Sequence, residues 1–146
     1  MKYAYYPGCS LHSSSKEYDL STRAVCEVLG IELEEIPNWV CCGASSAHMT
    51  SELLGLALPV KNLVAARDMH LDVVACCAAC YNRLKIANRT VSLDADQAER
   101  VGQVVGNPYH GETPVIHLLE VITRQYGLDA LRDKMRREIE GLRVAA

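Results

Sequence analysis

The sequence predicts an α/β fold: a small parallel sheet with flanking helices, and cysteine ligands in loops at the carboxyl ends of the strands. Three observations predict it. Segments of strand and helix character follow one another as strand, helix, strand, helix, strand, helices, the order that builds parallel sheets. Leu71 to Cys76 is a short run that is apolar apart from Asp72, as expected of a central strand buried on both faces. Cys9, the Cys41-Cys42 pair and Cys77 with Cys80 each follow a point where a strand is set to end, and ligands of parallel sheets collect at that edge.

Taken in order, Lys2 to Tyr6 reads as a strand stopped by Pro7-Gly8, which places Cys9 in a turn. Ser14 to Glu17 has the capping-box pattern. The helix behind it carries Leu20, Ala24, Val25, Val28 and Leu29 as its apolar stripe and ends at Gly30. Ile31 to Ile36 alternates as a half-buried strand does, and Pro37 stops it ahead of the Cys41-Cys42-Gly43 loop. Glu52 to Met69 is a long helix, apolar around much of its girth, which Pro59 is expected to kink or divide. After the buried strand, a helix starts at the Cys77-x-x-Cys80 pair and runs over Tyr81 to Asn88; another covers Leu93 to Val105. Gly106 to Glu112 is a loop and the one candidate subdomain boundary, so about 1–106 would form the core with the ligand loops and 113–146 the C-terminal helices. Thr113-Pro114 fits an N-cap and first-turn proline, opening a helix with Ile116, Leu119 and Ile122 that Gly127 closes. Leu128, Leu131, Met135, Ile139 and Leu142 then form a stripe on a charged helix, and Val144 to Ala146 begins a strand.

Composition bounds the function. At 146 residues the chain can bury a real core without disulfides. A net charge of −3 offers no basic footprint for nucleic acid. With no Phe and one Trp, an aromatic platform for base stacking is poorly supported. No apolar run reaches the length of a membrane span, and Pro7-Gly8 interrupts the N-terminus before a signal peptide could form; a cytoplasmic protein is expected. Cytoplasmic thiols stay reduced, so seven cysteines, an odd number, point to metal or redox chemistry.

The intervals are 31 residues between Cys9 and Cys41, and 34 between Cys42 and Cys77. A core has no reason to ask for a Cys-Cys pair and a Cys-x-x-Cys pair. Three strand ends of one sheet could bring five soft thiolates to one centre, which suits an iron–sulfur cluster or zinc. Adjacent cysteines reach one site only across a sharp loop, for which Gly43 is permissive. A helix N-terminus at Cys77 and Cys80 would favour thiolate. Unrelated buried cysteines, or a dithiol at Cys77 and Cys80 alone, are the blander readings. Cys26 and Cys76 read as core. His12 reads as a loop residue that could pair with Cys9 as a ligand, and His48 faces either the site or solvent; His70, His110 and His117 read as packed or surface residues, and Trp39 as core.

Pro7-Gly8-Cys9, Cys41-Cys42-Gly43 and Cys77-x-x-Cys80, with the opening Tyr-Tyr-Pro-Gly-Cys-Ser, resemble the cysteine-rich CCG domain, and most of all the B-type component of heterodisulfide reductase. The resemblance implies a non-cubane [4Fe–4S] cluster held by Cys9, Cys41, Cys42, Cys77 and Cys80, subject to loss in aerobic purification. It implies reduction of a disulfide such as CoM-S-S-CoB, and partners that are iron–sulfur and flavin subunits of a complex. Such proteins carry two CCG domains in tandem, and Gly141 to Ala146 resembles the linker to a second one. A single domain would then hold half of the site, with a homodimer as one way to complete it. The same domain also serves electron transfer in other dehydrogenases and oxidases, including certain succinate:quinone reductases. A zinc-binding structural module is the non-catalytic alternative.

Overall fold

A computed structural model describes residues 1–44, 46–137 and 141, with position 48 described for its backbone alone. Strands β1 (Lys2–Tyr6), β2 (Glu32–Glu35), β3 (Val73–Ala75) and β4 (Val115–His117) form one parallel sheet in the order β2-β1-β3-β4. Helices α1 (Gly8–His12), α2 (Lys16–Leu29), α3 (Ala47–Thr50), α4 (Glu52–Asp68), α5 (Ala78–Leu93), α6 (Ala95–Val105) and α7 (Leu118–Glu120) intervene. A π-helical segment, Val121–Gly127, leads into α8 (Leu128–Lys134). The fold is α/β, as the sequence predicts.

The central strand β1 pairs Tyr5 with Glu35 on one side and with Val74 on the other. Successive side chains of a strand point to opposite faces, so the sheet feeds two cores. Ala4, Tyr6, Val73, Ala75 and Val115 pack with Val60 and Leu63 of α4, Leu84 and Ala87 of α5 and Val101 of α6. Tyr3, Tyr5 and Val74 pack with Leu11, Cys26, Leu29, Leu118 and Val121. The edge strand β2 is blunted by charge, as exposed edges usually are: Lys2 pairs with Glu32 at 3.0 Å and Glu34 at 2.8 Å.

Several local expectations are revised. Thr113-Pro114 does not open a helix. The Pro114 carbonyl accepts the Val73 amide at 2.9 Å, and Val115 to His117 continue as β4. A helix there would have left the outer edge of buried β3 unpaired, and a proline without N–H is harmless where an edge strand begins. Thr113 is buried instead, its hydroxyl donating to the Leu63 carbonyl at 3.4 Å. The capping box at Ser14 does not form: Ser15 is the N-cap of α2 and makes no side-chain cap bond. The buried face of α2 is Thr22, Cys26 and Leu29, whereas Leu20 and Val28 are 67% and 64% exposed. The row that meets Tyr5 and Cys76 is buried, and the neighbouring apolar row lines an open groove with Leu131 and Met135 of the α8 region. The helix at the Cys77-x-x-Cys80 pair is longer than expected and ends at Leu93. Asp94 is both its C-cap and the N-cap of α6, accepting the Gln97 amide at 3.0 Å. Beyond α8, Ile139, Leu142 and the strand expected at Val144 to Ala146 lie outside the described residues.

Pro59 does not divide α4, which runs continuously through it. A proline deprives the carbonyl four residues earlier, that of Gly55, of its helical donor. Arg83 of α5 fills the gap, its Nη2 donating to the Gly55 oxygen at 2.7 Å. This bond fastens α4 to the helix that carries Cys80. Arg83→Met is expected to lower unfolding free energy by about 1.5–3 kcal/mol, the range for a hydrogen bond from a charged donor, measured by urea denaturation.

Candidate metal centre

Each cysteine is delivered by the end of a strand. β1 stops at Pro7, and Gly8, with φ of 73°, turns the chain into α1. Cys9 therefore sits exposed on a short helix rather than in the expected turn. Beyond β2, Cys41 is half-buried and Cys42 buried, and Gly43 turns the loop with φ of 75°. After β3, half-buried Cys77 is the N-cap of α5 and buried Cys80 lies in its first turn.

The sulfurs are close enough to act on one another electrostatically: Cys9 and Cys42 raise Cys41, and Cys42 and Cys77 raise Cys80. Cys42 Sγ and Cys80 Sγ lie 3.4 Å apart. Among the described residues, no three Cys, His, Asp or Glu side chains gather around one point as a single ion would require.

The backbone under the sulfurs is pinned. Tyr6 is fully buried beneath them and donates its hydroxyl to the Val40 carbonyl at 2.8 Å. Burial raises its phenol far above the ordinary range, and Cys42, Cys80, Cys41 and Cys9 add to the rise. Asn62 of α4 clamps the residue before the cysteine pair from both sides. Its Oδ1 accepts the Val40 amide at 2.8 Å and its Nδ2 donates to the Val40 carbonyl at 3.0 Å. Sequence reasoning missed Asn62; the available signal was a polar residue amid the apolar girth of α4. A Cβ added to Gly8 would stand 2.9 Å from Cys80 Sγ and 3.4 Å from the Tyr6 ring, so only glycine lets β1 approach the sulfurs this closely.

Protons are unevenly held. The hydrogen bond with Cys80 lowers the Cys42 thiol to about 6, helped by the amides of Ala44 and Cys42 and opposed by burial. Cys80 is pushed well up by the same hydrogen bond, by burial and by the charges of Cys42 and Cys77. The expectation that the helix N-terminus would favour thiolate therefore fails at Cys80, where the partner sulfur and burial outweigh the helix end. Cys26 and Cys76 are buried core residues on the other face, as expected, with burial raising Cys26 to about 11.

His12, the possible ligand beside Cys9, turns its Nε2 to Glu35 Oε1 at 3.2 Å. Its ring meets that of Trp39, which is half-buried and also edge-on to Tyr6. His117 ends β4 against Tyr81, and its Nδ1 accepts the Leu119 amide at 3.2 Å. His70 and His110 precede β3 and β4, at the opposite edge of the sheet. The side chain of His48 lies outside the described residues.

Among known protein families, the cysteine-rich domain called CCG matches residues 3–85, which hold all five cysteines. The chain belongs to the CCG family. This CCG domain is 33% identical over 147 aligned residues to the 8-methylmenaquinol:fumarate reductase membrane anchor subunit of Wolinella succinogenes, covering 99% of this chain and 50% of that one. It is 24% identical over 149 to an Archaeoglobus profundus protein similar to the B-type component of heterodisulfide reductase, with the same coverage. The chain thus spans about half the length of the curated relatives it matches. Among the described residues, no helix is long and apolar enough to cross a membrane.

The donor set fits a thiolate-ligated iron–sulfur group. It offers five soft donors, one more than a tetrahedral zinc accepts, at one sheet edge where they can serve several metal atoms rather than one. Gly8→Ala, which pushes on Cys80 Sγ, is expected to weaken metal retention about tenfold or more, measured by metal analysis after dialysis, with the circular dichroism spectrum retained. In reduced, metal-free protein, ultraviolet thiolate absorbance should show one thiol titrating near pH 6. That step should vanish in Cys42→Ser and move to higher pH in Cys80→Ala, which removes the hydrogen bond favouring the thiolate.

Proposed function

We propose that this CCG domain is a redox subunit of the heterodisulfide reductase type, holding a non-cubane [4Fe–4S] cluster through Cys9, Cys41, Cys42, Cys77 and Cys80 and acting on a disulfide. The observation that carries the proposal is that the loops after three parallel strands bring five thiols to one sheet edge, with Cys42 and Cys80 in contact at 3.4 Å. A cluster held by these five cysteines would supply single electrons and a thiophilic metal. The chain's own residues divide the surroundings. Tyr6, Cys42 and Cys80 close the inner side against water, while exposed Cys9 and half-buried Cys41 and Cys77 leave the outer side open to a disulfide or to an electron-transfer partner. Gly8 admits the sulfurs and Asn62 holds the loop that presents the Cys pair.

On this reading the chain is one CCG domain that supplies half of a complete disulfide site; a second CCG domain, in another chain or in a second copy, supplies the rest. Electrons arrive from iron–sulfur and flavin subunits in the cytoplasm. A second reading draws on the higher identity to the Wolinella fumarate reductase protein. The domain would then relay electrons in a quinol-linked reductase and never meet a disulfide.

Anaerobic purification should yield about four iron and four sulfide per chain. Ser at each of the five cysteine positions should lower that content alike. About one zinc without sulfide, persisting after reconstitution, with one of the five substitutions silent, would favour a structural module. In stopped-flow experiments, reduced protein should be re-oxidised by a mixed disulfide and show a changed paramagnetic signal with added thiol. Inert disulfides together with re-oxidation by a redox partner protein would decide for the second reading.

A further inference from the structure

Cys42 and Cys80 meet sulfur to sulfur. Their Sγ atoms lie 3.4 Å apart, against about 2.0 Å in a disulfide. The two therefore need to close by only roughly 1.4 Å to join. They come from different elements, the loop after β2 and the first turn of α5, and are 38 residues apart in the chain. Both are buried, 2% and 6% exposed, in the apolar cluster that also holds Tyr6, Ile36 and Leu56. Both are free thiols. A disulfide carries no charge and no hydrogen-bond donor, so it suits such a wall at least as well as two thiols do.

Burial also sets a condition. A small molecule has no direct route to either sulfur, and thiol–disulfide exchange depends on access. Cys77 offers the route. It is half-buried, it caps α5 three residues before Cys80, and its charge acts on the Cys80 thiol.

We infer that in the metal-free chain Cys42 and Cys80 join as a disulfide, which Cys77 passes inward from a small disulfide oxidant. The Cys77 sulfur attacks one sulfur of the oxidant, whose own bond breaks, and one small thiol leaves with the Cys77 proton. Cys80 then attacks the Cys77 sulfur, and the second small thiol leaves with the Cys80 proton. Cys42 finally attacks Cys80, and Cys77 departs as a thiol with the Cys42 proton. Two protein thiols have lost two electrons and two protons, and one small disulfide has become two thiols. The consequence rests on the reading above, that the five cysteines hold a metal group. The bridge withdraws two of its donors, so the chain takes up no metal until a thiol reductant reverses the relay through Cys77.

The test treats the reduced, metal-free full chain with one equivalent of glutathione disulfide under argon. Mass spectrometry should show that two of the seven thiols are lost and no glutathione is retained. Peptide fragmentation should place the link between Cys42 and Cys80. The oxidised protein should melt at a higher temperature, because the bridge spans 38 residues of chain. Cys42→Ser should stop the relay at a Cys77–Cys80 bridge. Cys77→Ser should slow closure about tenfold or more, with its circular dichroism spectrum retained. Cys26→Ala, in the core on the other face of the sheet, should leave the rate of closure as it was. Retained glutathione, a final bridge at another pair, or undiminished closure in Cys77→Ser overturns the inference. Iron and sulfide uptake should be lost in the bridged protein and return with dithiothreitol; uptake that survives the bridge overturns its consequence. A bridge found in a protein that takes up neither iron nor sulfide even when reduced overturns the cluster reading and leaves the disulfide standing.

Discussion

Because β1 pairs in parallel with β2 along one edge and β3 along the other, the carboxyl ends of all three strands open on the same side of the sheet. That pairing brings together sulfurs separated by 31 and 34 residues of sequence. Antiparallel pairing of either neighbour would send its cysteines to the far edge. The requirement extends to the first residues past the strand: Gly8 passes so close to Cys80 that a methyl group would collide with the sulfur. Sheet pairing sets the side on which the cysteines meet, and glycine sets how near they come.

The site also places acidic sulfur chemistry over a buried aromatic floor. Burial opposes thiolate at Cys42 and Cys80, yet one hydrogen bond between them and two backbone amides bring Cys42 down to about 6. A metal bound there would relieve the rest by taking up the negative charge, which would link its binding to the local packing. Asn62 matters here although it touches no sulfur. By satisfying both backbone groups of Val40, it holds the loop before the cysteine pair without leaving that task to the Tyr6 hydroxyl alone.

Strands β1 to β3 are legible in the sequence because turn residues or cysteines bound them and each shows strand patterning. Three-residue β4 is too short to show a period, and Thr-Pro marks the start of a helix as readily as the start of an edge strand. The stripe on α2 misleads for a different reason. Leu20, Val25 and Val28 repeat as a buried face does, but Thr22 and Cys26, polar or small, are what fit against Tyr5 and Cys76. Cysteine spacing points to the candidate site, whereas His12, Glu35 and Arg23 are far apart in sequence and meet only because β2 lies beside β1 and α2. No local pattern encodes that meeting.

Because Gly8 packs against a sulfur that lies 72 residues further along the chain, the pocket depends on the order of synthesis. Cys9 leaves the ribosome early, but its neighbours arrive only after β3 and the first turn of α5 have been made. Until then the nascent chain carries Cys9 and the Cys41-Cys42 pair without the Cys80 sulfur that Gly8 and Cys42 pack against. The five thiols can therefore share one place only once just over half of the chain, through Cys80, has been made.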